Sequence, residues 1–421
     1  MDNLDVLLLN LSISKEKYAM MPPLGQLYIA TVLKKAYKVE ILDLAVEKEK
    51  LEAVHKKVME SKPKIIGISS YYETWEQMNQ VVKLIKKFDQ DIIICIGGNG
   101  ATFSYQEILE NMQVDYVIRY EGEYAFFNLC NYLLKGIGQL DDIQGLAYIS
   151  ADKICLNEST QIPDLDELPY PDRSMINIEK YYYPFTIITS RGCNGKCIFC
   201  SSKAFWGKKI RKRNITDIVN EIGEIKERYN AKTFFLIDDN FTLSKKRVIE
   251  FCEILNKRKL ELEWFCEARA DTLDYELLEI MYKSGCRWLQ IGLESCNNLV
   301  LQSIGKNQRY EQIEEAVKYA CALNYKIKIS IIIGHHLDTH DTIKETLEKA
   351  EKLKKNYGAE IAWSVNTPFP GTDLFNKCDQ YGIKILTHRF DNYRMDNPII
   401  ETKFLKVNEI RKIFSQIQCD N

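Results

Sequence analysis

The sequence predicts an α/β protein of two successive domains, because two long stretches alternate apolar runs with amphipathic helical patterns. The first stretch covers residues 4 to about 135, and the second covers 184 to about 370. A segment rich in proline and acid, Pro163-Asp-Leu-Asp-Glu-Leu-Pro-Tyr-Pro, lies between them and indicates a linker. We therefore expect a first domain, a connector, a second domain and a small C-terminal cap, at 1–135, 136–183, 184–370 and 371–421.

The first domain contains five apolar runs that predict strands, with helices between them. This pattern favours a doubly wound, Rossmann-like parallel sheet, whose ligands bind beyond the carboxyl ends of the strands. Glycines stand near those ends, at Gly25 and at Gly97-Gly98, where the missing side chain lets a flat ligand approach the backbone. The predicted strands cover 4–10, 39–44, 65–70, 92–96 and 116–118, and the helices lie near 25–36, 46–61, 74–88, 104–111 and 123–134.

The connector and the second domain follow with further strand patterns. Residues 143–149 and 153–156 predict a small hairpin inside the connector. Beyond residue 184, six apolar runs alternate with helices, as in six successive βα units. The predicted strands of these units cover 185–188, 233–237, 263–266, 288–292, 327–333 and 360–365.

The composition excludes some classes of function. The chain has 57 basic and 59 acidic residues, so its net charge of −2 creates no field that attracts nucleic acid or an anionic membrane. No window approaches 18 unbroken apolar residues. Thirteen cysteines, an odd number without a secretory leader, argue against a disulfide scaffold. We expect a reducing, cytoplasmic location, with no nucleic-acid or membrane partner.

Three cysteines, Cys193, Cys197 and Cys200, form a CxxxCxxC motif directly after a predicted buried strand. Thiolates are the soft ligands that iron–sulfur clusters take, and a loop of this length can hold three of them around one cubane. The next cysteine along the chain is Cys252, so one iron would remain open to a ligand that is not protein. The alternatives are a zinc knuckle, which usually has four ligands, and a redox dithiol.

This motif strongly resembles that of the radical S-adenosylmethionine (SAM) enzymes. The resemblance implies a 4Fe–4S cluster, SAM as cofactor and a partial (β/α)6 barrel with its chemistry at the carboxyl ends of the strands. It assigns Phe199 to shielding of the SAM adenine. The remaining SAM contacts that it implies are at strand ends: the amino group at Asp238, the carboxylate at Arg269, and the ribose and methionine at Glu294 and Ser295.

The first domain resembles the cobalamin-binding domain that precedes many radical SAM cores. The similar segments are Pro22-Pro-Leu-Gly25, Gly97-Gly-x-x-x-Thr102 and Arg119-Tyr-Glu-Gly-Glu123, and the Leu-Asp-Glu-Leu-Pro linker is similar too. The Asp-x-His-x-x-Gly motif of the cobalamin mutases is absent, and Tyr120 replaces the first glycine of a frequent Gly-Glu-Gly-Glu. A domain that binds another flat ligand, or none, is the alternative. The cobalamin contacts implied by the resemblance are Leu24, Gly25, Ser69, Gly97, Gly98, Thr102 and Glu121.

A histidine-rich loop, Gly334-His-His-Leu-Asp-Thr-His340, follows the fifth strand of the second domain, where many relatives carry Gly-x-Pro-Gly-Glu-Thr. Three of the five histidines of the chain lie here, at His335, His336 and His340. Histidine can transfer protons or bind metal. We treat these three as candidate catalytic residues, with substrate contact or a solvent-exposed position as the alternatives.

By resemblance, the predicted reaction is methylation of an unactivated carbon or phosphorus centre, in a natural-product or cofactor pathway. The radical formed from SAM would activate the substrate, and cobalamin would carry the methyl group. The alternatives are a cobalamin-dependent cyclisation or ring rearrangement and, from another class, a non-catalytic metal-binding protein. A methylthiotransferase would need three further cluster cysteines in its first domain, which the sequence lacks. The expected partners are a small-molecule or peptide substrate and an electron donor such as flavodoxin or ferredoxin.

Overall fold

The computed structural model describes residues 4–14, 19–207 and 209–420. The chain forms two compact units, Met1–Pro184 and Phe185–Asn421. Among the described residues, no helix combines the length and the apolar character needed to cross a membrane. The predicted α/β class is confirmed in both units.

The first unit contains a seven-stranded sheet with helices on both faces. Its strands are β1 Val6–Asn10, β2 Val39–Asp43, β3 Ile65–Ser69, β4 Ile93–Gly97, β5 Tyr116–Ile118, β6 Leu146–Ser150 and β7 Lys153–Leu156. Its helices are α1 Leu24–Leu33, α2 Lys50–Ser61, α3 Trp75–Phe88, α4 Asn99–Phe103, α5 Tyr105–Asn111 and α6 Glu123–Lys135.

Alternate side chains of strand β1 pack against helices on opposite faces of the sheet. Leu7 belongs to an apolar cluster that includes Met78 of α3, whereas its neighbour Leu8 belongs to a second cluster that includes Phe126 of α6. Parallel strands that are buried on both faces read as continuous apolar runs, as β1 does. The strand order is β2-β1-β3-β4-β5-β6-β7, and the first five strands are parallel. The predicted doubly wound sheet is therefore confirmed.

Two features of this unit differ from the sequence expectation. The hairpin β6–β7 does not stand apart as a connector, because β6 pairs antiparallel with β5 and extends the sheet. The segment after β4, where no helix was predicted before residue 104, contains the short helix α4. Gly98 makes the turn with a φ of 94°, and the Thr102 amide then donates to the Gly98 carbonyl at 3.0 Å, which closes the first turn of α4. The Thr102 hydroxyl donates to the same carbonyl at 2.9 Å.

The second unit contains a parallel six-stranded sheet of order β15-β14-β13-β12-β11-β8, which agrees with the partial barrel. Its strands are β8 Thr186–Ile187, β9 Ser190–Arg191, β10 Arg211–Lys212, β11 Thr233–Leu236, β12 Glu263–Ala268, β13 Cys286–Glu294, β14 Lys326–Ile333, β15 Glu360–Val365, β16 Lys384–Ile385 and β17 Ile400–Glu401. Its helices are α7 Ser202–Trp206, α8 Ile215–Tyr229, α9 Lys245–Arg258, α10 Tyr275–Lys283, α11 Asn298–Ser303, α12 Tyr310–Ala322, α13 His340–Tyr357, α14 Asp373–Asn376 and α15 Val407–Asp420.

The two faces of this sheet have different chemistry. One face packs under the helices, as Trp264 of β12 does against Phe251 of α9 at a ring-centroid distance of 5.5 Å. The opposite face, called the inner face below, is only partly buried. It carries Phe265 and Glu267 of β12, in alternation with fully buried neighbours, and residues paired with them on adjacent strands.

The segment 371–421, predicted as a cap, divides between two places. Near α14, the Leu374 amide donates to the Ile198 carbonyl at 2.8 Å, so this part contacts the cysteine loop. Helix α15 instead joins an apolar cluster in which Ile410 and Phe414 pack with Ile343 of α13 and Val365 of β15. The Val365 amide, at the end of β15, also donates to the Met395 carbonyl at 2.8 Å, so both parts of the segment contact strand ends or the loops that follow them.

We predict that the buried ion pair between Arg213 and Glu221 is needed for the stability of this unit. The two side chains lie 2.7 Å apart and are almost fully buried, and Arg213 also holds the carbonyl of Ile188. Glu221→Ala should lower the free energy of unfolding by about 3 kcal/mol, because it leaves a buried guanidinium undercompensated. Glu224→Ala, one turn away on α8, removes an exposed pair with Arg228 and should cost less than about 1 kcal/mol. Equal losses in a urea titration would contradict this prediction.

Candidate active site

The cysteine loop is fixed by backbone hydrogen bonds at its centre. The Ile198 amide donates to the Ile304 carbonyl at 3.0 Å, on the loop after α11. Two amides also point at cysteine sulfurs: that of Gly195 at Cys193 Sγ, 3.4 Å away, and that of Ser202 at Cys200 Sγ, 3.5 Å away. Amide donors stabilise the thiolate form that a cluster needs. The loop therefore fits an iron–sulfur ligand set.

Gly305 brings the cysteine loop and the loop after α11 into close contact. Its φ is 71°, and a Cβ atom here would lie 2.3 Å from the Lys196 carbonyl oxygen. Only glycine combines that backbone conformation with such a close approach. The Gly305 carbonyl lies 3.9 Å from Cys197 Sγ.

The three sulfurs do not converge on one point, since no three His, Cys, Asp or Glu side chains of the described residues could hold a single ion. In a cubane each thiolate binds a different iron, so convergence is not required. Burial raises the pKa of Cys197, and Lys306 and Arg269 oppose that rise. Burial also raises the pKa of Cys200, to about 12. Both thiols must lose a proton when a metal centre binds.

Asp238 is buried at the end of β11, and its hydrogen bonds go to the chain that precedes the cysteine loop. The carboxylate accepts from the Thr189 amide at 2.6 Å, the Thr189 hydroxyl at 2.5 Å and the Ser190 hydroxyl at 2.6 Å. Burial raises the pKa of Asp238, and these donors oppose the rise. This geometry favours positioning of the loop over direct contact with SAM, so the predicted SAM contact at Asp238 stays a prediction.

Arg269 lies beside the cysteine loop, and two of its three guanidinium nitrogens already form hydrogen bonds within the protein. It makes a bidentate ion pair with Asp271 at 3.1 and 3.0 Å and donates to the Lys306 carbonyl at 2.9 Å. Its Nη1 atom points toward Gly195, 3.8 Å from the position that a Cβ would occupy there. Nη1 is therefore the guanidinium nitrogen of Arg269 that remains available to bind a carboxylate.

Glu294 forms a buried ion pair at the end of β13, with Lys306 Nζ 2.9 Å from its Oε1. A Cβ at Gly292 would lie 2.5 Å from that oxygen and 2.8 Å from the Lys306 nitrogen, so the glycine makes room for the pair. Glu294 also has a φ of 69° at an irregularity in strand pairing. Backbone strain of this kind is typical of functional sites. Ser295 is turned away, 3.3 Å from the Thr346 hydroxyl.

The three histidines of the histidine loop lie in different environments, two of them buried and one exposed. His335 is buried, and its ring lies 5.8 Å from that of Phe199. Its ring nitrogens form no well-aligned hydrogen bond, although the Glu294 backbone lies near enough to oppose the fall of the His335 pKa. Burial lowers the pKa of His335 to about 3, so its imidazole is neutral at physiological pH. His336 is also buried and packs on Tyr381 at 5.0 Å. His340 is exposed and lies 2.9 Å from Glu409 of α15, where it is a surface residue.

Several residues of the site were not predicted from the sequence. Lys306 binds Glu294, and Asp338 holds the histidine loop by accepting from the amides of Gly334 and His335, each at 2.9 Å. Two buried amide side chains at strand ends, Asn240 and Asn366, each keep one polar atom without a partner. Unpaired buried polar atoms are costly, so the strand ends are suited to a polar ligand.

The predicted cobalamin residues gather at the carboxyl ends of β3 and β4 and the start of α1. Gly25 is exposed, and a Cβ there would meet nothing within 4 Å. Gly98 is different, because a Cβ would lie 2.8 Å from the Ser70 carbonyl oxygen and 3.1 Å from the Ser69 hydroxyl. Packing of the protein itself therefore explains Gly98, whereas Gly25 leaves open surface that a flat ligand can use. Gly97 lies beside Gly98, and Leu24 is buried.

Thr102 and Glu121 make contacts within the first unit. The Thr102 hydroxyl accepts from the Tyr120 amide at 2.8 Å, and its carbonyl accepts from the Arg119 Nε at 3.0 Å. The Glu121 carboxylate accepts from the Ile162 amide at 2.9 Å. Tyr71, which was not predicted from the sequence, is an exposed aromatic side chain that follows β3 beside the Gly98 turn. It is a further candidate for contact with a flat ligand.

Comparison with known proteins agrees with this geometry. The radical SAM superfamily model matches residues 187–350, and the B12 binding domain model matches residues 16–129. An uncharacterized methyltransferase of Pyrococcus horikoshii is 30% identical over 402 residues, which cover 93% of this chain and 86% of that protein. An anaerobic magnesium-protoporphyrin IX monomethyl ester cyclase of Rubrivivax gelatinosus is 27% identical over 405 residues, covering 92% of this chain and 71% of that one.

Solved structures show the same fold. The cobalamin-dependent SAM radical enzyme OxsB, with aqua-cobalamin and SAM bound, has a TM-score of 0.79 and 20% identity, over 99% of this chain and 66% of that one. The radical SAM methyltransferase TsrM of Kitasatospora setae, with cobalamin and a [4Fe-4S] cluster bound, has a TM-score of 0.75 and 17% identity, over 92% and 81%.

The fold and the cysteine loop define a cluster-binding enzyme whose first domain is a doubly wound ligand-binding domain. The chain belongs to the radical SAM superfamily, in the group that carries a B12-binding domain before the radical SAM domain. This membership implies a 4Fe–4S cluster, SAM and cobalamin as cofactors, as the sequence motifs indicated.

We predict that Gly305→Ala will prevent cluster assembly, because its Cβ would displace the Lys196 carbonyl and with it the cysteine loop. Anaerobic reconstitution followed by iron analysis should find most of the iron lost. Gly358→Ala is the matched control, since this glycine also has a positive φ, 65°, but a Cβ there meets nothing within 4 Å. It should cost about 1 kcal/mol of stability and keep its iron. Full iron content in Gly305→Ala would refute the role of this contact.

We predict that Gly25→Leu weakens cobalamin retention about tenfold, because the new side chain would occupy surface that is now open. Retention can be measured by absorbance after gel filtration. Gly223→Leu, at a glycine of α8 that also has open space around it, is the control and should retain cobalamin normally. Gly98 is a poorer test, since a side chain there would distort its own turn. Normal retention in Gly25→Leu would place the corrin elsewhere.

Proposed function

We propose that this protein is a cobalamin-dependent radical SAM methyltransferase that methylates an unactivated carbon or phosphorus centre of a small molecule or peptide. The observation that carries the proposal is the fixed three-cysteine loop, together with unpartnered buried polar atoms at the strand ends, at Asn240 and Asn366. We further propose that 1–135 binds cobalamin and that 184–370 cleaves SAM. Residues 136–183 would add the β6–β7 hairpin to the first sheet and then lead into the second domain, and 371–421 would complete the second unit.

In this proposal, Cys193, Cys197 and Cys200 each hold one iron. When bound, the cluster supplies the electron that cleaves SAM, and cobalamin supplies the methyl group. The free Nη1 of Arg269 binds the SAM carboxylate, and the Glu294–Lys306 pair offers an acceptor and a donor for its amino-acid or ribose groups.

The remaining residues of the site exclude water and fix the nucleoside. Phe199 covers one side of the adenine, and neutral His335, packed against it, can donate one hydrogen bond and accept another. Asp238 and Ser295 keep the surrounding chain in place through Thr189, Ser190 and Thr346. In the first unit, Gly25 and Tyr71 contact the corrin, and buried Leu24 supports the start of α1 beneath it. Ser69, Gly97, Gly98, Thr102 and Glu121 hold the turn and its neighbouring segments.

Methyl transfer is supported by the relatives whose names state it. Besides the Pyrococcus protein, a cytidylyl-2-hydroxyethylphosphonate methyltransferase of Streptomyces wedmorensis is 26% identical over 420 residues, covering 86% of this chain and 78% of that one. The second candidate is a cyclisation without net methyl transfer, which the similarity to the Rubrivivax cyclase supports. The two differ in one product, because methyl transfer from SAM leaves S-adenosylhomocysteine.

The electron donor and the location are also proposals. A cluster of this class needs a one-electron donor of low potential, such as flavodoxin or ferredoxin. None of the thirteen cysteines is joined to another by a disulfide bond, which supports a reducing, cytoplasmic location.

The test is anaerobic incubation of the reconstituted holoenzyme with SAM, hydroxocobalamin and a strong reductant. We expect 5′-deoxyadenosine from the wild type, and none from Cys197→Ala, which should also lose the brown cluster absorption. Cys321→Ala, at a partly buried cysteine of α12, is the control and should behave like the wild type. S-adenosylhomocysteine with substrate favours methyl transfer, and its absence with a changed product favours cyclisation. A wild type that binds no iron would refute the proposal.

A further inference from the structure

A row of three polar side chains crosses the inner face of the sheet. Strand pairing aligns Glu267 of β12 with Gln290 of β13, and Gln290 with Lys328 of β14. Residues aligned in this way on parallel strands point to the same face. All three are partly buried, and none of them forms a hydrogen bond or ion pair with any described residue. None has a role in the function proposed above.

An aromatic cluster lies next to this row, toward the amino ends of the strands. Phe235, Phe265 and Trp288 pack with ring centroids 5.3 to 5.9 Å apart. Phe265 and Trp288 precede Glu267 and Gln290 by two residues, so they share the inner face. On the other side of the row, toward the carboxyl ends, come Arg269 and the Glu294–Lys306 pair. The row thus lies between an apolar floor and the cofactor residues.

Acidic groups dominate the surroundings of Glu267. Burial is the main cause that raises the pKa of Glu267 to about 7, and Asp239, Glu294 and Asp238 raise it further. Lys328, from β14, opposes them, but its Nζ lies 5.9 Å from the Trp288 ring centroid and forms no ion pair with Glu267. The field at Glu267 therefore favours a positive group.

A partly buried carboxyl group without a donor is unfavourable for folding. Burial removes water from the carboxylate, and no hydrogen bond offsets that cost in free energy. A glutamine or leucine at this position would carry no charge and would avoid most of it. Such groups are typical of functional sites. The neighbouring carboxylates do not share this feature, since Asp238 accepts three hydrogen bonds and Glu294 pairs with Lys306. Glu267 is therefore the acid on this face that is left for a ligand.

We propose that Glu267 determines substrate specificity by binding a protonated amine of the substrate, whose apolar part rests on Phe265 and Trp288. The substrate class is thus an amine-bearing small molecule or peptide side chain. This inference rests on the proposed function, because it assumes that the inner face receives the substrate. SAM also carries positive groups, so the test must distinguish substrate from cofactor.

The experiment uses n-propylammonium as the probe, because it combines an ammonium group with a short apolar chain. Its binding to the reconstituted holoenzyme is measured by saturation-transfer NMR, with and without SAM. We expect Glu267→Gln to weaken binding about tenfold, since a charge-assisted hydrogen bond is lost. Glu263→Gln is the control, because Glu263 lies on the same strand, exposed and 3.8 Å from Arg287. It should bind like the wild type.

The pH dependence gives a second readout that an indirect structural role would not produce. An ammonium ion binds the ionised carboxylate, so wild-type binding should weaken as the pH falls through about 7, the pKa of Glu267. Glu267→Gln should show no such dependence. Thermal unfolding of each variant checks that the fold is kept.

Three outcomes would overturn the inference: unchanged binding in Glu267→Gln, an equal loss in Glu263→Gln, or complete displacement of the probe by SAM. Complete displacement by SAM would show that Glu267 contacts the cofactor instead of the substrate. Because binding is measured without turnover, these outcomes are independent of whether 5′-deoxyadenosine or S-adenosylhomocysteine is formed. Failure of this inference can thus be told apart from failure of the proposed function.

Discussion

The buried carboxylate of Asp238 is the interaction on which the cysteine loop depends. It accepts three hydrogen bonds from Thr189 and Ser190, which lie just before the loop and 48 to 49 residues away in sequence. Hydrogen bonds to a charged group contribute about 1.5–3 kcal/mol each, and here they offset part of the cost of burying the charge, since the pKa of Asp238 is still raised. The chain therefore enters the loop from a point fixed to the sheet, which a short flexible loop could not achieve by itself.

A second anchor holds the other side of the loop. The segment after α11 supplies the Ile304 carbonyl to Ile198, the close backbone approach at Gly305, and the Lys306 side chain to Glu294. One short segment thus couples the cysteine loop to the end of β13. Since both partners of the ion pair are buried, the position of Lys306 is fixed before any ligand binds, and preorganisation of this kind lowers the cost of binding.

The sequence was sufficient for the fold because its signals are local. Apolar runs and glycines predicted the parallel strands, and the spacing of Cys193, Cys197 and Cys200 predicted the cluster loop. The helix α4 was missed because it follows a glycine turn that looks like a loop, and the role of Lys306 was missed because its partner lies on another element. Pairings of that kind depend on which strand ends meet in space, and no local pattern encodes them.

The histidine loop shows how burial changes the meaning of a residue type. From the sequence, three histidines suggested proton transfer or metal binding. In the fold, His340 lies at the surface and contacts Glu409, whereas His335 is buried, and burial lowers its pKa to about 3. A group that stays neutral at physiological pH is a poor proton donor, but it offers one donor and one acceptor in fixed positions. The His335 amide donates to Asp338, and its ring packs against Phe199. Because both interactions fix its position, His335 is best suited to form specific hydrogen bonds with a bound polar ligand.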